Sequence, residues 1–463
     1  MKEEIWIKFY EGGALKEELT FVQAEEKIKD KVAELLKLGI EKGDRIVVKL
    51  PNSPLCIVTY LGIYRLGAIA VPVGQLEDQT RLDFIINDSG VKAVIDSSGI
   101  KILSFRSCND EVKSICTIIY TSGTTGTPKG VCLSWNNWVS NAQSLIKHHN
   151  IDKTTVFASP LFLSHCNAHG LAMITTYISK CRLILFDKAP KNILEIISKE
   201  KVNILSVVPS ILYDIFNSNK DWKVSKELKY IITAAAPLSP YLLKNVMEAW
   251  HVRIIQGYGL SESTNFSCTM PINLGDDIYR LVMFPWPSIG VSLNGVEIKI
   301  GNKDEEGVSD ELFISAESNF SGYWNRDKIE PKLTVHTGDL GYYKIIEGKR
   351  FFYFKGRIKE IINRGGDKIS PFELESELRK SGLEGEFAVI SLPNEKYGEE
   401  VGLVICKLSD LSALEKIPKY RRPKQVFLLK TLFYTPNGKL QRRKISEFCS
   451  DGKAEEVIIH PLT

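Results

Sequence analysis

The sequence predicts an α/β protein: a large N-terminal domain of layered α/β subdomains plus a β-rich subdomain, then a small α+β C-terminal domain. Three observations carry that expectation. Apolar strand-like runs alternate with helical patterns over the first three quarters of the chain, short strands and glycine-containing turns take over after Ile289, and the strand-like "FFYFKGR" gives way to a charged segment.

The elements follow in order. "DRIVVKL", "AIAVPV" and "KAVIDS" read as buried strands, with helical spacing between them and in "AEEKIKDKVAELLKLG". The apolar run from Leu55 to Val73 is broken by Gly62, Arg65, Gly67 and Pro72, so it reads as a buried helix followed by a strand and not as a membrane span. "RLILFD", "ILSVVP", "YIITAAA" and "VRIIQGYG" predict a second layered sheet from about Phe157 to Tyr258. Beyond Ile289, "GVEIKIGNKDEEGVSDELFIS" predicts the β-rich subdomain. Ser370, Pro371 and Glu373 form a capping box with proline at the first helical position, so a helix starts near Pro371. The expected domains are residues 1–358 and 359–463.

Composition narrows the function. The chain has 463 residues, 44% of them hydrophobic, and Lys plus Arg exceeds Asp plus Glu by only four, which favours neither nucleic acid nor a membrane surface as partner. The nine cysteines include no C-x-x-C pair, which predicts reduced thiols and a cytoplasmic protein. No apolar leader stands in "MKEEIWIKFYEGG".

"TIIYTSGTTGTPKGV", residues 117 to 131, suits phosphate. Glycines let backbone approach oxygens, while the hydroxyls of Thr121, Ser122, Thr124 and Thr125, exposed amides and the Lys129 ammonium supply donors and charge. It is not the G-x-x-x-x-G-K-[ST] loop, because Lys129 is followed by glycine. The plain alternative is a surface turn rich in turn formers.

This string resembles the signature loop of the adenylate-forming superfamily: acyl-CoA synthetases, peptide-synthetase adenylation domains and firefly-type luciferases. The resemblance continues in order through "ITAAAPLSP", "YGLSES", "HTGDLGYY", "FKGRIKEIINRGGDKISPFELE" and "TPNGKLQRRKI", and includes the N-terminal "GIEKGDRIVVKLPNSP". It implies an AMP-forming acid–thiol ligase that uses ATP and Mg²⁺. Thr121, Ser122, Gly123, Thr124, Thr125 and Gly126 would form the phosphate loop with Lys129. Lys439 would bridge the acid and the α-phosphate, Glu262 would hold Mg²⁺, and Asp339 would accept the ribose hydroxyls with Arg357 assisting. Tyr258 would stack on adenine beside the small residues Ala235 and Ala236, or else pack in the core. Lys359 matches the hinge of a rotating C-terminal domain. Gly365 and Gly366 would then let a pantetheine arm pass, unless they form an ordinary turn.

In "SPLFLSHCNAHGLAM", His165 lies near a histidine of the acyl pocket in that family, and His169 reads equally well as a satisfied helix histidine. From Lys416 to Lys444 there are ten Lys or Arg and no Asp or Glu, a solvated face or a dock for CoA phosphates or an acidic carrier protein. The leading expectation is activation of a small carboxylic acid as its adenylate and transfer to the thiol of CoA. A stand-alone enzyme loading a carrier-protein phosphopantetheine is the near alternative, and a catalytically silent nucleotide-binding protein the distant one. Oxygen chemistry of the luciferase kind is required by nothing in the sequence.

Overall fold

The computed structural model describes residues 4–103, 114–121, 128–326, 328–407, 410–434 and 440–457. Among them the strands form four sheets. In the first, Arg45–Lys49 runs parallel to Ile69–Pro72 and to Ala93–Asp96. Ile69–Pro72 is parallel to Thr117–Thr121, which turns back antiparallel into Lys129–Leu133. The inner strands are buried on both faces, which is why they read as unbroken Val/Ile runs. The helix Pro54–Leu66 links two of them. Ser53 accepts the amide of Cys56 at its start, and Gly67, at φ 78°, ends it.

The second sheet has nine strands, and its parallel core contains the four expected, Arg182–Phe186, Ile204–Val207, Tyr230–Thr233 and Arg253–Leu260, with Val156–Ser159 inserted between the first two. One edge was not foreseen from the sequence. The hairpin Ile5–Glu11 and Ala14–Thr20 adds to it, with Ile5–Glu11 parallel to Arg182–Phe186. Trp6, Ile7, Phe9 and Tyr10 go into the core, and Lys8 between them is held by Glu18 and Glu200, each at 3.0 Å.

Val296–Ile300, Asp310–Ala316, Thr334–Ile346 and Lys349–Arg357 make the antiparallel β-rich sheet. All described strands from Ile362 onward form the fourth sheet, with its own apolar clusters. The helix Pro371–Lys380 begins as expected, Ser370 accepting the Glu373 amide at 3.2 Å. Among the described residues no helix is long and apolar enough to cross a membrane.

A buried polar chain ties the first two sheets together. Trp138 Nε1 donates to Thr117 Oγ1 at 3.0 Å, and Thr117 donates to the Tyr64 hydroxyl at 3.0 Å. Tyr64 lies 2.6 Å from His169 Nε2, and His169 Nδ1 is 2.9 Å from the Leu163 carbonyl. A carbonyl only accepts, so the His169 proton sits on Nδ1 and Tyr64 donates to Nε2. Every hydroxyl in the chain then has one direction. Burial pushes the His169 pKa down to about 4, so the ring is neutral at ordinary pH. His169 is the satisfied histidine that the sequence left open.

The linkage has a definite sign. The unfolded chain binds a proton at His169 below its ordinary pKa of about 6.5, whereas the folded chain resists until about pH 4, so stability is lost as pH falls through that window. His169 should account for about 3 kcal/mol of the loss between pH 7 and pH 4. Denaturant titrations of the wild type and His169→Gln across that range test it; parallel pH curves for the two proteins would refute the assignment.

Candidate functional site

A cleft of about 2170 Å³ opens where the parallel strands of the second sheet end. Pro160, Val208, Ala234 and Gly259, each at or just past the carboxyl end of such a strand, line it, the usual location for a ligand in an open α/β sheet. Of the expected site residues, Thr121, His165, Ala235, Ala236, Arg357 and Lys359 also line it. Ser122, Gly123, Thr124, Thr125, Gly126 and Lys439 lie outside the described residues. Their flanks are placed: Thr121 faces Lys129 across the antiparallel pair, and Leu440 lines the cleft.

Asp339 and Arg357 are register partners in neighbouring strands. Arg357 Nε is 3.2 Å from Asp339 Oδ1, and the Tyr258 hydroxyl donates to Oδ2 at 2.8 Å. Asp339 is only 5% exposed, so these partners offset the cost of burying its charge. Burial, and then the Asp339 charge, raise the Tyr258 pKa well above the usual phenol value, keeping it a donor. Burial alone would draw Arg357 down, but Asp339 and Glu360 more than offset it and the guanidinium stays charged. The expected ribose carboxylate thus has a tyrosine and an arginine on it. The Tyr258 ring also stands 6.4 Å from Phe354, so the residue belongs to the wall as well as to the site.

Glu262 sits in a single 3₁₀ turn, Ser261–Ser263. The turn is pinned from outside: Phe320 N donates to the Glu262 carbonyl at 2.8 Å, and Thr264, at φ 70°, donates its hydroxyl to the Ser318 carbonyl. Tyr323 aims the side chain, its hydroxyl donating to Glu262 Oε1 at 2.9 Å, and Lys129 Nζ lies 4.8 Å over the same ring. Tyr323 therefore joins the phosphate-loop lysine to the candidate metal carboxylate. Nothing in "SGYWN" pointed to it. Among the described residues no three His, Cys, Asp or Glu side chains converge on one point. A lone glutamate suits Mg²⁺, which takes one or two carboxylates and completes its shell with phosphate oxygens and water.

Two further backbone positions have fixed roles. A β-carbon on Gly259 would stand 1.6 Å from the Asn265 carbonyl, so only glycine lets the strand carrying Tyr258 close on Asn265–Thr269. Ala235, by contrast, is a non-glycine residue at φ 69°, in the left-handed region, beside the cleft.

The acyl side is held by Asn52, which nothing in its local sequence singles out. Its Nδ2 donates to the carbonyls of Leu161 and Phe186 at 2.8 and 3.0 Å, and its Oδ1 accepts the Leu163 amide at 2.9 Å. His165 follows on that loop, its ring 6.4 Å from Phe162.

Two features of the C-terminal part differ from their simplest reading. Gly365 and Gly366 do not line the cleft; they turn a hairpin in which the Gly365 amide donates to Tyr397 O at 2.8 Å. The basic run is also less available for docking than its count suggests. Arg442 is bidentate to Glu375, donates to Val389 O and lies 3.4 Å from Glu360, so it is an internal cross-link. Arg421 pairs with Glu377, and Arg422 bonds the carbonyls of Glu415 and Ile417.

Asp339→Ala should weaken nucleotide binding by about 10- to 100-fold, the range for hydrogen bonds to a charged acceptor, as read by calorimetric titration with ATP; unchanged affinity would remove Asp339 from the site. Tyr323→Phe keeps a ring under Lys129 and deletes only the bond to Glu262. Its kcat/KM for ATP should drop about tenfold with the melting temperature near wild type, and a Mg²⁺ titration superimposable on wild type would refute the link.

Comparison with known proteins identifies the family. The AMP-binding enzyme family model matches residues 7–113 and 104–324. The long-chain-fatty-acid–CoA ligase FadD13 of Mycobacterium tuberculosis is 27% identical over 89% of this chain and 90% of its own length. A plipastatin synthase of Bacillus subtilis is 26% identical over 93% of this chain and 18% of its own length. The o-succinylbenzoate CoA synthetase of Bacillus subtilis, solved with its acyl-adenylate intermediate, superposes with a TM-score of 0.83 over 96% of this chain and 95% of that one, at 22% identity. The chain belongs to the AMP-binding enzymes of the adenylate-forming superfamily.

Proposed function

We propose that the protein is an AMP-forming acid–thiol ligase that activates a carboxylic acid with ATP and transfers the acyl group to the thiol of CoA. The observation that carries this reading is the buried Asp339, bonded by Tyr258 and paired with Arg357, which lines the cleft together with Thr121 and Ala235. A carboxylate oxygen attacks the α-phosphorus of ATP, the bond to the bridging oxygen of the β-phosphate breaks, and pyrophosphate leaves. The CoA thiol then loses its proton to solvent, its sulfur attacks the acyl carbon, and AMP departs. Relatives that are CoA ligases support CoA as acceptor, and the peptide-synthetase relative keeps a carrier-protein phosphopantetheine open as a second acceptor.

Residue roles follow the chemistry. Asp339 and Arg357 fix the ribose, Tyr258 and the Ala235–Ala236 backbone border the base, and Lys129 with Thr121 and residues 122–126 neutralise the phosphates. Glu262, oriented by Tyr323, would hold Mg²⁺, which supplies charge neutralisation on the departing pyrophosphate. Lys439 bridges the acid and the α-phosphate. Its neighbour Leu440 lines the cleft whereas Gly365 and Gly366 do not, which suits the first half-reaction. Rotation about Lys359, at the proposed boundary between 1–358 and 359–463, brings the glycine pair in for the second. All eight described cysteines are free thiols, which fits a reducing, cytoplasmic setting.

Lys439→Ala should cut acid-dependent pyrophosphate exchange by roughly a hundredfold or more, while transfer from a supplied acyl adenylate to CoA survives. Equal losses in both half-reactions would contradict the role. Offering CoA and a phosphopantetheinylated carrier protein to the preformed adenylate decides the acceptor.

A further inference from the structure

The inner wall of the cleft holds amide groups that no protein atom satisfies among the described residues. Asn265 is 4% exposed and its Nδ2 has no hydrogen-bond partner there. Asn167 has both Nδ2 and Oδ1 buried and likewise without a partner. Both residues line the cleft. They belong to one patch: Cys166 Sγ contacts the Thr264 carbonyl at 3.7 Å, joining the two segments one residue before each asparagine. Gly170 packs beside the Asn265 amide, where a β-carbon would stand 3.0 Å from Nδ2. Asn167 precedes the π-helix Ala168–Ile174, an irregular form that gathers at functional sites.

Buried amides without partners are costly, and a fold keeps them where a ligand completes them. Around them the lining is uncharged: the cleft residues drawn from 160–168, 208–211, 234–236 and 259–266 include no Lys, Arg, Asp or Glu. A second carboxylate placed there would be desolvated without a counter-ion. A plain hydrocarbon would leave three polar atoms unmatched. We propose that the acid carries an uncharged group able both to accept and to donate, a hydroxyl or a carboxamide, which binds Asn265 Nδ2 and the Asn167 amide. This rests on the ligase reading above and names its substrate class.

The test is acid-dependent exchange of labelled pyrophosphate into ATP with matched sets: straight-chain alkanoates and benzoates, their hydroxy and carboxamide analogues with the substituent walked along the skeleton, and dicarboxylates of equal length. The best hydroxy or carboxamide acid should exceed its unsubstituted parent by at least about tenfold in kcat/KM. Asn265→Leu and Asn167→Leu should abolish that preference, raise the relative rate of the unsubstituted acid, and melt, ligand-free, no lower than wild type, because an unsatisfied polar group has been replaced by an apolar one. Equal or better exchange with plain alkanoates or dicarboxylates overturns the substrate class and leaves the ligase reading standing. Exchange with no acid at all overturns the ligase reading itself. Leu variants that unfold or melt far below wild type show that the amides serve the fold, and this also overturns the proposal.

Discussion

One nearly dry carboxylate organises the molecule. Asp339 takes a proton donor from the second sheet, Tyr258, and a guanidinium from its own sheet, Arg357. Isolated, a buried carboxylate costs several kcal/mol, and only close, oriented partners make the position tolerable. The same contacts therefore fix two sheets relative to each other at the proposed ribose position. Because Arg357 is the last residue of its strand, with Lys359 two residues on, the geometry also sets the point from which the C-terminal part departs.

The acid's side of the cleft is held by hydrogen-bond direction instead of charge. Asn52 and His169 together engage three backbone groups of the short loop from Leu161 to Leu163, and His169 does so as the end of a chain that starts at Trp138. Thr117, in the middle of that chain, begins the strand that ends at Thr121, where the phosphate loop starts. The strand leading to Thr121 and the loop from Leu161 to Leu163 thus share one neutral, fully directed polar spine. A charged histidine would break it, because Nε2 would have to donate towards a hydroxyl whose proton already points back.

What the sequence made legible was local or motif-bound. Central strands announced themselves as unbroken apolar runs, and the helix at Pro371 by its cap, since each signal is complete within a few residues. The edge hairpin was not legible: Ile5–Glu11 carries Lys8 in its middle, and the groups that neutralise it come from Glu18 and the distant Glu200. Tyr323 escaped for the same reason. Its role exists only because folding stacks it between Lys129 and Glu262, which are separated from it by long stretches of chain. Arg442 misled in the opposite direction: counted along the chain it looked like a solvated cation, and in space Glu375 and Glu360 close on it. Of the described candidates given by the family's motifs, Thr121, His165, Ala235, Ala236, Arg357 and Lys359 line the cleft, Tyr258 and Asp339 reach it through Arg357, Glu262 and Lys129 meet at Tyr323, and Gly365 and Gly366 form a turn away from it.

The C-terminal part is held lightly, and the lightness is itself informative. The helix Pro371–Lys380 and its cap meet the N-terminal part through Phe372, which packs edge-on to Trp286 at 4.8 Å and to Phe354 at 5.5 Å, through Lys380 5.9 Å over the Trp286 ring, through the Ser370 hydroxyl, which donates to the Lys355 carbonyl at 2.6 Å, and through an ion pair of 3.5 Å between Glu373 and Lys355. An aromatic pair contributes about 0.5–1.5 kcal/mol beyond its buried area, and a partly exposed ion pair about 0–1 kcal/mol. These terms are no larger than the differential binding energy a nucleotide or a thiol can bring to one of two states. Inside the C-terminal part, by contrast, Arg442 welds helix, strand and the residue after the hinge through Glu375, Val389 and Glu360. A unit stiff within itself and attached to its neighbour by few contacts is what the proposed rotation about Lys359 requires, since the energy of reorientation would then fall on that residue and those contacts alone.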